Sequence, residues 1–210
     1  MARNFGSIAF TPKVKAEQEK HGSLLQYIRM TVHGPDTNRL GPAEMEFIEA
    51  RDGFYMASVS ETGWPYVQFR GGPPGFLKVL DEQTIGFADF RGNRQYISVG
   101  NLKHDGRVAL FLMDYPNQTR LKILGRAEIL EGPDAKEALN RLALPGYPAK
   151  IERALKIHLE AFDWNCQQHI TPRYTAEQVE RALLPLRRRI EELERENHLL
   201  KSAAGKSASS

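Results

Sequence analysis

Donor side chains gather at one corner of this sequence. Arg91, Asn93, Arg94 and Gln95 follow the apolar run "TIGFADF" and precede "YISVGNL", with Gly92 among them. A polar turn between two elements is the ordinary explanation of such a corner. Three other stretches have the same mixture of strand, glycine or loop, and donor: Arg70 in "QFRGG", Arg120 at the head of an apolar run, and the closing "AFDWNCQQHITPRY". None belongs to a nucleophile or triphosphate motif. The chain lacks G-x-S-x-G, H-E-x-x-H, a Walker loop, and a G-x-G-x-x-G after a strand. Cys166 and His169 have a spacing that starts some metal sites, but no second pair accompanies them, so no metal is expected.

The composition narrows the class. A chain of 210 residues with 41% hydrophobic residues is long enough for one well-buried domain with an appendage, or for two small ones. A single cysteine excludes an intramolecular disulfide and fits a reducing compartment. No apolar run is long enough to cross a bilayer, and "MARNFGSIAFTPKVKAEQEK" lacks the apolar stretch of a signal peptide, so a cytoplasmic protein without membrane association is expected. The net charge of +3 is partly local to Arg187, Arg188 and Arg189, which is too little for nucleic-acid binding.

The elements that must position these donors follow from periodicity and punctuation. Residues 1–41 read as an N-terminal arm whose end, "GPDTNRLGP", is a loop. Pro42 suits a first helical position, and Met45, Phe47 and Ile48 make a short amphipathic helix ending before Gly53. Strands are expected at "FYMASVS", "PYVQF", "FLKVL", "TIGFADF", "RVALFLMDY" and "RLKILGRAEIL", joined by tight turns. Such spacing points to an antiparallel sheet or barrel. Gly132-Pro133 opens a helix through Leu144. "ERALKIHLEAFDW" has helix-favouring residues, yet Leu155, Ile157, Leu159 and Ala161 alternate with Lys156, His158 and Glu160, so a strand is predicted.

A last helix is predicted over residues 175–202, with Thr175 and Gln178 spaced as a capping box. Val179, Leu183, Leu186, Ile190, Leu193, Asn197 and Leu200 step by four and three, the seam of a coiled coil. Asn197 at a core position would fix register at some cost in stability. A helix lying back on its own domain explains the same apolar stripe. Residues 203–210 are expected to be a disordered tail.

The run "WPYVQFRGGPPGFLKVLDEQTIGFADFRGNRQYISVGNLKHDGRVALFLMD" followed by "RLKILGRAEIL" resembles the FMN-binding split barrel of the pyridoxamine 5'-phosphate oxidase superfamily, over Gly53 to Glu131. The closing "DWNCQQHITPR" resembles a flavin-nucleotide-binding subgroup. The resemblance implies a mainly β fold with helices (α+β), an antiparallel split β-barrel over residues 42–174, and a C-terminal helix. It also implies FMN at the interface of a homodimer, with phosphate donors at Arg70, at Asp89 and Phe90, and at Asn93, Arg94 and Gln95. An arginine fork and a helix N-terminus suit a phosphate dianion. Arg120 heads a strand that faces the flavin in the family, while Trp164 with Gln167 and His169 is expected to complete the pocket.

The sequence departs from the oxidase pattern where Gln95 stands in place of a lysine and Asp89 in place of a threonine. The insert Gly71–Gly75 breaks a strand that carries further phosphate contacts in the oxidase. Asp89 beside a phosphate is repulsive, so it is expected to pair with an arginine or to accept from the flavin. No arginine and histidine pattern for pyridoxamine phosphate is present, which argues against vitamin B6 oxidation. The expected function is an FMN-dependent oxidoreductase acting on a small organic substrate, with a nicotinamide as possible donor. The alternative is a flavin-binding or sensing protein without turnover.

Overall fold

The computed structural model describes residues 4–164 and 168–207, with residues 134 and 202–207 by main chain alone. They form two compact units. The first contains residues up to Asp114 and Gln118–Ile170; the second contains Tyr115–Asn117 and the chain from Thr171. Among the described residues no helix is long and apolar enough to cross a membrane.

Seven strands make one antiparallel sheet in the order β2-β1-β5-β6-β7-β4-β3: β1 (Gly53–Val59), β2 (Pro65–Gly71), β3 (Lys78–Asp81), β4 (Thr84–Phe90), β5 (Arg107–Asp114), β6 (Thr119–Leu130) and β7 (Ile151–Trp164). Each corresponds to a run read as a strand in the sequence. β4 is buried at every residue but its last, which is why it reads as a continuous apolar run rather than an alternating one. β7 illustrates context overriding propensity. Its helix-favouring residues extend because alternate positions Arg153, Leu155, Ile157, Leu159 and Ala161 are all buried, in a strand paired with β6 and, up to His158, with β4.

The core lies inside the curled sheet. Phe54 stacks on Phe76 at 5.8 Å between ring centres and meets Phe87 edge-on at 5.4 Å. Met56, Leu110, Leu112, Leu121, Ile123 and Ile157 close around them. Full burial of each such side chain contributes about 1.5–3 kcal/mol. α4 (Pro42–Glu49) seals one side with Ile48, and its first turn is tied by Glu44, which accepts from the Gly41 N–H at 2.9 Å. α5 (Ile97–His104) follows the donor-rich corner. Its buried Asn101 donates to Ser58 of β1 at 3.0 Å, which fixes the helix to the sheet. A 3-10 turn at Gly132–Asp134 leads into α6 (Ala135–Leu142), which buries Ala138 and Leu142.

The N-terminal segment is more ordered than an arm. It holds α1 (Phe5–Ala9), α2 (Pro12–Lys20) and α3 (Leu24–His33), and it belongs to the same compact unit as the sheet. The signals were caps: Asn4 accepts from the Ser7 N–H at 3.1 Å, and Thr11 precedes Pro12 at a first helical position. The segment also borders β7, whose Phe162 N–H donates to the Thr37 carbonyl at 2.7 Å.

In the second unit, α7 (Ala176–Ser207) opens with the expected capping box: the Thr175 N–H donates to Gln178 at 2.8 Å and the Gln178 N–H to the Thr175 hydroxyl at 3.2 Å. The helix continues through Ser207, into the segment whose composition predicts disorder. Once nucleated, a helix propagates through good formers such as Ala203, Ala204 and Lys206.

Candidate functional site

The donors converge on three strands and one helix start. Arg70 points from β2 to Asp89 of β4, with Nη1 and Oδ1 2.7 Å apart. Asp89 faces its register partner Arg153 on β7, whose Nη1 lies 3.5 Å from Oδ2. Asp89 and Arg153 are buried. Burial pushes the Asp89 carboxyl above the ordinary carboxylate range, against the opposing pull of Arg70 and Arg153 and with a further push from Glu152. Arg153 is also ion-paired with Glu131 at 3.2 Å and Glu152 at 3.1 Å. These pairings do not satisfy every donor. Arg70 Nε and Arg153 Nε and Nη1 are buried without a hydrogen-bond acceptor, because the Glu131 and Asp89 contacts are close but poorly directed.

Those guanidinium groups border a hollow of about 50 Å3, lined also by Gln68, Gly92, Asn93, Arg94, Tyr96 and Ser98. It has the scale of a small anion. Across the Arg70–Asp89 pair it adjoins a larger hollow of about 300 Å3, to which Phe76, Phe87, Phe90 and Tyr147 contribute. Tyr147 packs on Phe90 at 5.0 Å.

The corner itself is held in an uncommon conformation. Arg94 has φ of 63° and Tyr96 of 53°, the left-handed region that non-glycine residues rarely adopt. Such strain persists only where surrounding contacts impose it. Here the Gln95 N–H donates to the Asn93 side chain at 3.2 Å, and the Tyr96 hydroxyl donates to Glu152 at 3.2 Å. Tyr96 occupies the cap position of α5 without capping it by side chain, leaving the helix's first N–H groups for another acceptor. Ser98, in that first turn, donates to Gln68 at 2.7 Å. Arg94 is exposed at the rim, and its hydrogen bond with Tyr96 favours the charged form.

Arg70, Asp89, Phe90, Asn93 and Arg94 thus line one cavity, with Gln95 in the same turn. The remaining expected residues do not join it within the chain. Arg120 lies on β6 with its guanidinium 5.2 Å over the Phe111 ring. Trp164, at the end of β7, donates its indole N–H to Glu44 at 2.7 Å and meets Phe47 edge-on at 4.8 Å; these partners on α4 hold it away from the arginines. His169 is exposed, with φ of 64°. Gln167 lies outside the described residues, as do Asn165 and Cys166. Sequence reasoning missed Gln68, Tyr96, Ser98, Glu152 and Arg153. The parity of β7 was the available signal for Arg153, since it is in step with Leu155 and Ile157 on the inward side.

The family model described as pyridoxamine 5'-phosphate oxidase matches residues 40–163. The chain belongs to that family. The match extends beyond Gly53–Glu131 to include α4, α6 and β7, and so contains every residue lining the arginine cavity. Among solved structures, a protein from Lactobacillus delbrueckii named as a putative pyridoxamine 5'-phosphate oxidase is 23% identical with a TM-score of 0.48, covering 61% of this chain and 96% of its own. HupZ of Group A Streptococcus is 18% identical, TM-score 0.44, covering 64% and 100%. An FMN-binding protein from Syntrophomonas wolfei is 10% identical, TM-score 0.45, covering 72% and 97%. No curated protein matches the sequence. The pyridoxamine 5'-phosphate oxidase match leaves α1–α3 and α7 outside it.

Proposed function

We propose that this family member binds FMN, with the phosphate in the Arg70–Arg94–Arg153 cavity, and acts as a flavin-dependent oxidoreductase on a small organic substrate. One observation carries the reading: buried arginine N–H groups without acceptors border an anion-sized hollow beside the uncapped start of α5. A phosphate supplies acceptors for both. Three arginines and two carboxylates line the hollow, so a dianion meets net positive charge there.

When bound, the flavin would supply the hydride and electron chemistry. The chain's own residues bind and orient. Arg70 and Arg153 hold the phosphate from the buried side, Arg94 covers it from solvent, and the α5 N–H groups complete its shell. Asp89 keeps the two buried arginines apart and aligned. The adjoining hollow with Phe76, Phe87, Phe90 and Tyr147 offers an apolar surface next to the phosphate position.

A homodimer belongs to the same proposal. Tyr55, Val67, Phe69 and Trp64 of the β1–β2 hairpin are exposed, an apolar face suited to a second copy. Arg120, Trp164 and His169 are then available to the flavin of the partner. A second reading, a flavin-binding or sensing protein without turnover, is favoured by the carboxylates of the cavity: Asp89 and Glu152 are both engaged by arginines, leaving neither poised as an acid or base.

The absorption spectrum of purified protein, followed by anaerobic NADH and NADPH titration, tests these readings. Yellow protein bleached by a nicotinamide supports the oxidoreductase. Yellow protein inert to both donors supports the binder. Colourless protein that does not take up added FMN refutes both.

A further inference from the structure

We propose that α7 pairs with α7 of a second copy as a parallel two-stranded coiled coil. The proposal does not rest on the flavin reading, because the helix lies outside the family-matched segment. Its seam is exposed: Leu186, Ile190, Leu193 and Leu200 are 60, 54, 46 and 70% accessible. Such a stripe on a continuous helix is costly to leave in water, and its four-three spacing fits the knobs and holes of a like helix.

The charges beside the seam choose both occupant and orientation. With Leu183, Ile190 and Asn197 at one core position and Leu186, Leu193 and Leu200 at the other, Arg189 and Glu196 flank the core on one side, and Glu194 and Lys201 on the other. In a parallel pair, a flanking residue faces the residue five positions later on the other helix. Arg189 then faces the partner's Glu194, and Glu196 faces the partner's Lys201. Both contacts are attractive, and each occurs twice by symmetry. Parallel pairing also sets Asn197 against its own copy, where two amides hydrogen-bond each other. Antiparallel pairing about the Ile190–Leu193 layer would set Asn197 against a leucine, leaving a buried amide without a partner.

Pro185 is compatible with this arrangement. It lies between Leu184 and Leu186, off both core positions and both flanking ones, so its missing N–H and its ring face away from the seam. Only about three heptads are available, which alone is marginal in water. The pair is therefore expected to form in a concentration-dependent way, and dimerisation of the barrel, where it occurs, would strengthen it by tethering.

The test uses the full chain with Cys166→Ser, so that one introduced thiol reports. Leu193→Cys places a thiol in the core, and Arg195→Cys places one on the opposite helix face. Mild oxidation should convert most of the Leu193→Cys chain to a covalent dimer while leaving Arg195→Cys largely monomeric on a denaturing gel. Adding Arg189→Glu to Leu193→Cys should slow the cross-linking, and adding Glu194→Arg as well should restore it, since the reversed pair is again attractive. Equal cross-linking at both positions, none at the core position, or failure of the double reversal to restore the rate would overturn the proposal.

Discussion

Arg70 and Asp89 stand near opposite ends of the strand order, on β2 and β4, yet their side chains meet at 2.7 Å. No ladder joins those strands among the described pairings, so the ion pair bridges the seam of the split barrel. Removing the carboxylate would leave the half-buried Arg70 and the buried Arg153 facing each other with like charge. Asp89→Ala, which removes the acceptor between the two guanidinium groups altogether, is expected to destabilise the ligand-free protein by about 3 kcal/mol, the cost of breaking a buried pair. Saturating inorganic phosphate should recover part of the loss, as read by thermal unfolding with and without the anion.

The same carboxyl sets a pH dependence. Its folded pKa is raised by burial, so the folded state holds the proton more tightly than the unfolded chain does. Its contribution to stability is therefore full below the ordinary carboxylate value and declines as pH rises through the elevated folded value. Across that range the stability of the parent relative to Asp89→Asn, read from denaturant midpoints, should fall as pH rises.

Arg94 separates charge from backbone. Arg94→Ala is expected to weaken FMN binding by about 1.5–3 kcal/mol, the range for a charge-assisted hydrogen bond, while an exposed rim position keeps the fold intact. Arg94→Gly should lose the same affinity but unfold at a higher temperature than Arg94→Ala, because glycine adopts φ of 63° without strain. Flavin fluorescence titration and a melting curve read the two effects. Equal FMN affinity in parent and variants would reduce the corner to a turn.

The placement of α5 depends on a buried amide. Asn101→Ala would leave the Ser58 hydroxyl without its partner and should cost about 1–3 kcal/mol. A cycle with Ser58→Ala checks this: the double variant should be less destabilised than the sum of the two single ones.

Two glycines should respond in opposite senses. A Cβ at Gly125, where the β6–β7 register shifts, would lie 2.6 Å from the His158 carbonyl oxygen, and backbone cannot move aside cheaply. Gly125→Ala is expected to cost about 1–3 kcal/mol. Gly100, within α5, has open space around a Cβ, so Gly100→Ala should stabilise by up to about 1 kcal/mol. Melting temperatures of the pair decide the matter.

The strands were legible because their faces are unequal: Leu155, Ile157 and Leu159 announce β7 even through helix-favouring neighbours. The corner at Arg91–Gln95 was legible because polar donors interrupt an apolar context. Arg153 was not, since a charge in an inward position reads as a break in the pattern rather than as part of it. The contacts of Trp164 were not legible for a different reason. Its partner Glu44 is 120 residues away, and no local period reports a contact of that range. The helices before residue 34 went unread because none buries a residue of its own, and the signals of α1 and α2 are short caps, not periodic faces.

β4 covers β7 only from Ile151 to His158. Beyond that point, the Leu159 N–H is taken by the Gln83 carbonyl and the Phe162 N–H by that of Thr37. The N-terminal segment therefore guards an open strand edge. A chain trimmed to residues 40–163 would keep all seven strands almost whole, yet it would leave the Phe162 N–H without its acceptor on a length of exposed ladder. Another molecule's strand is the nearest substitute for Thr37. Expression of that fragment should yield precipitate or strand-exchanged oligomers, and retaining the first 39 residues should keep the protein in the supernatant.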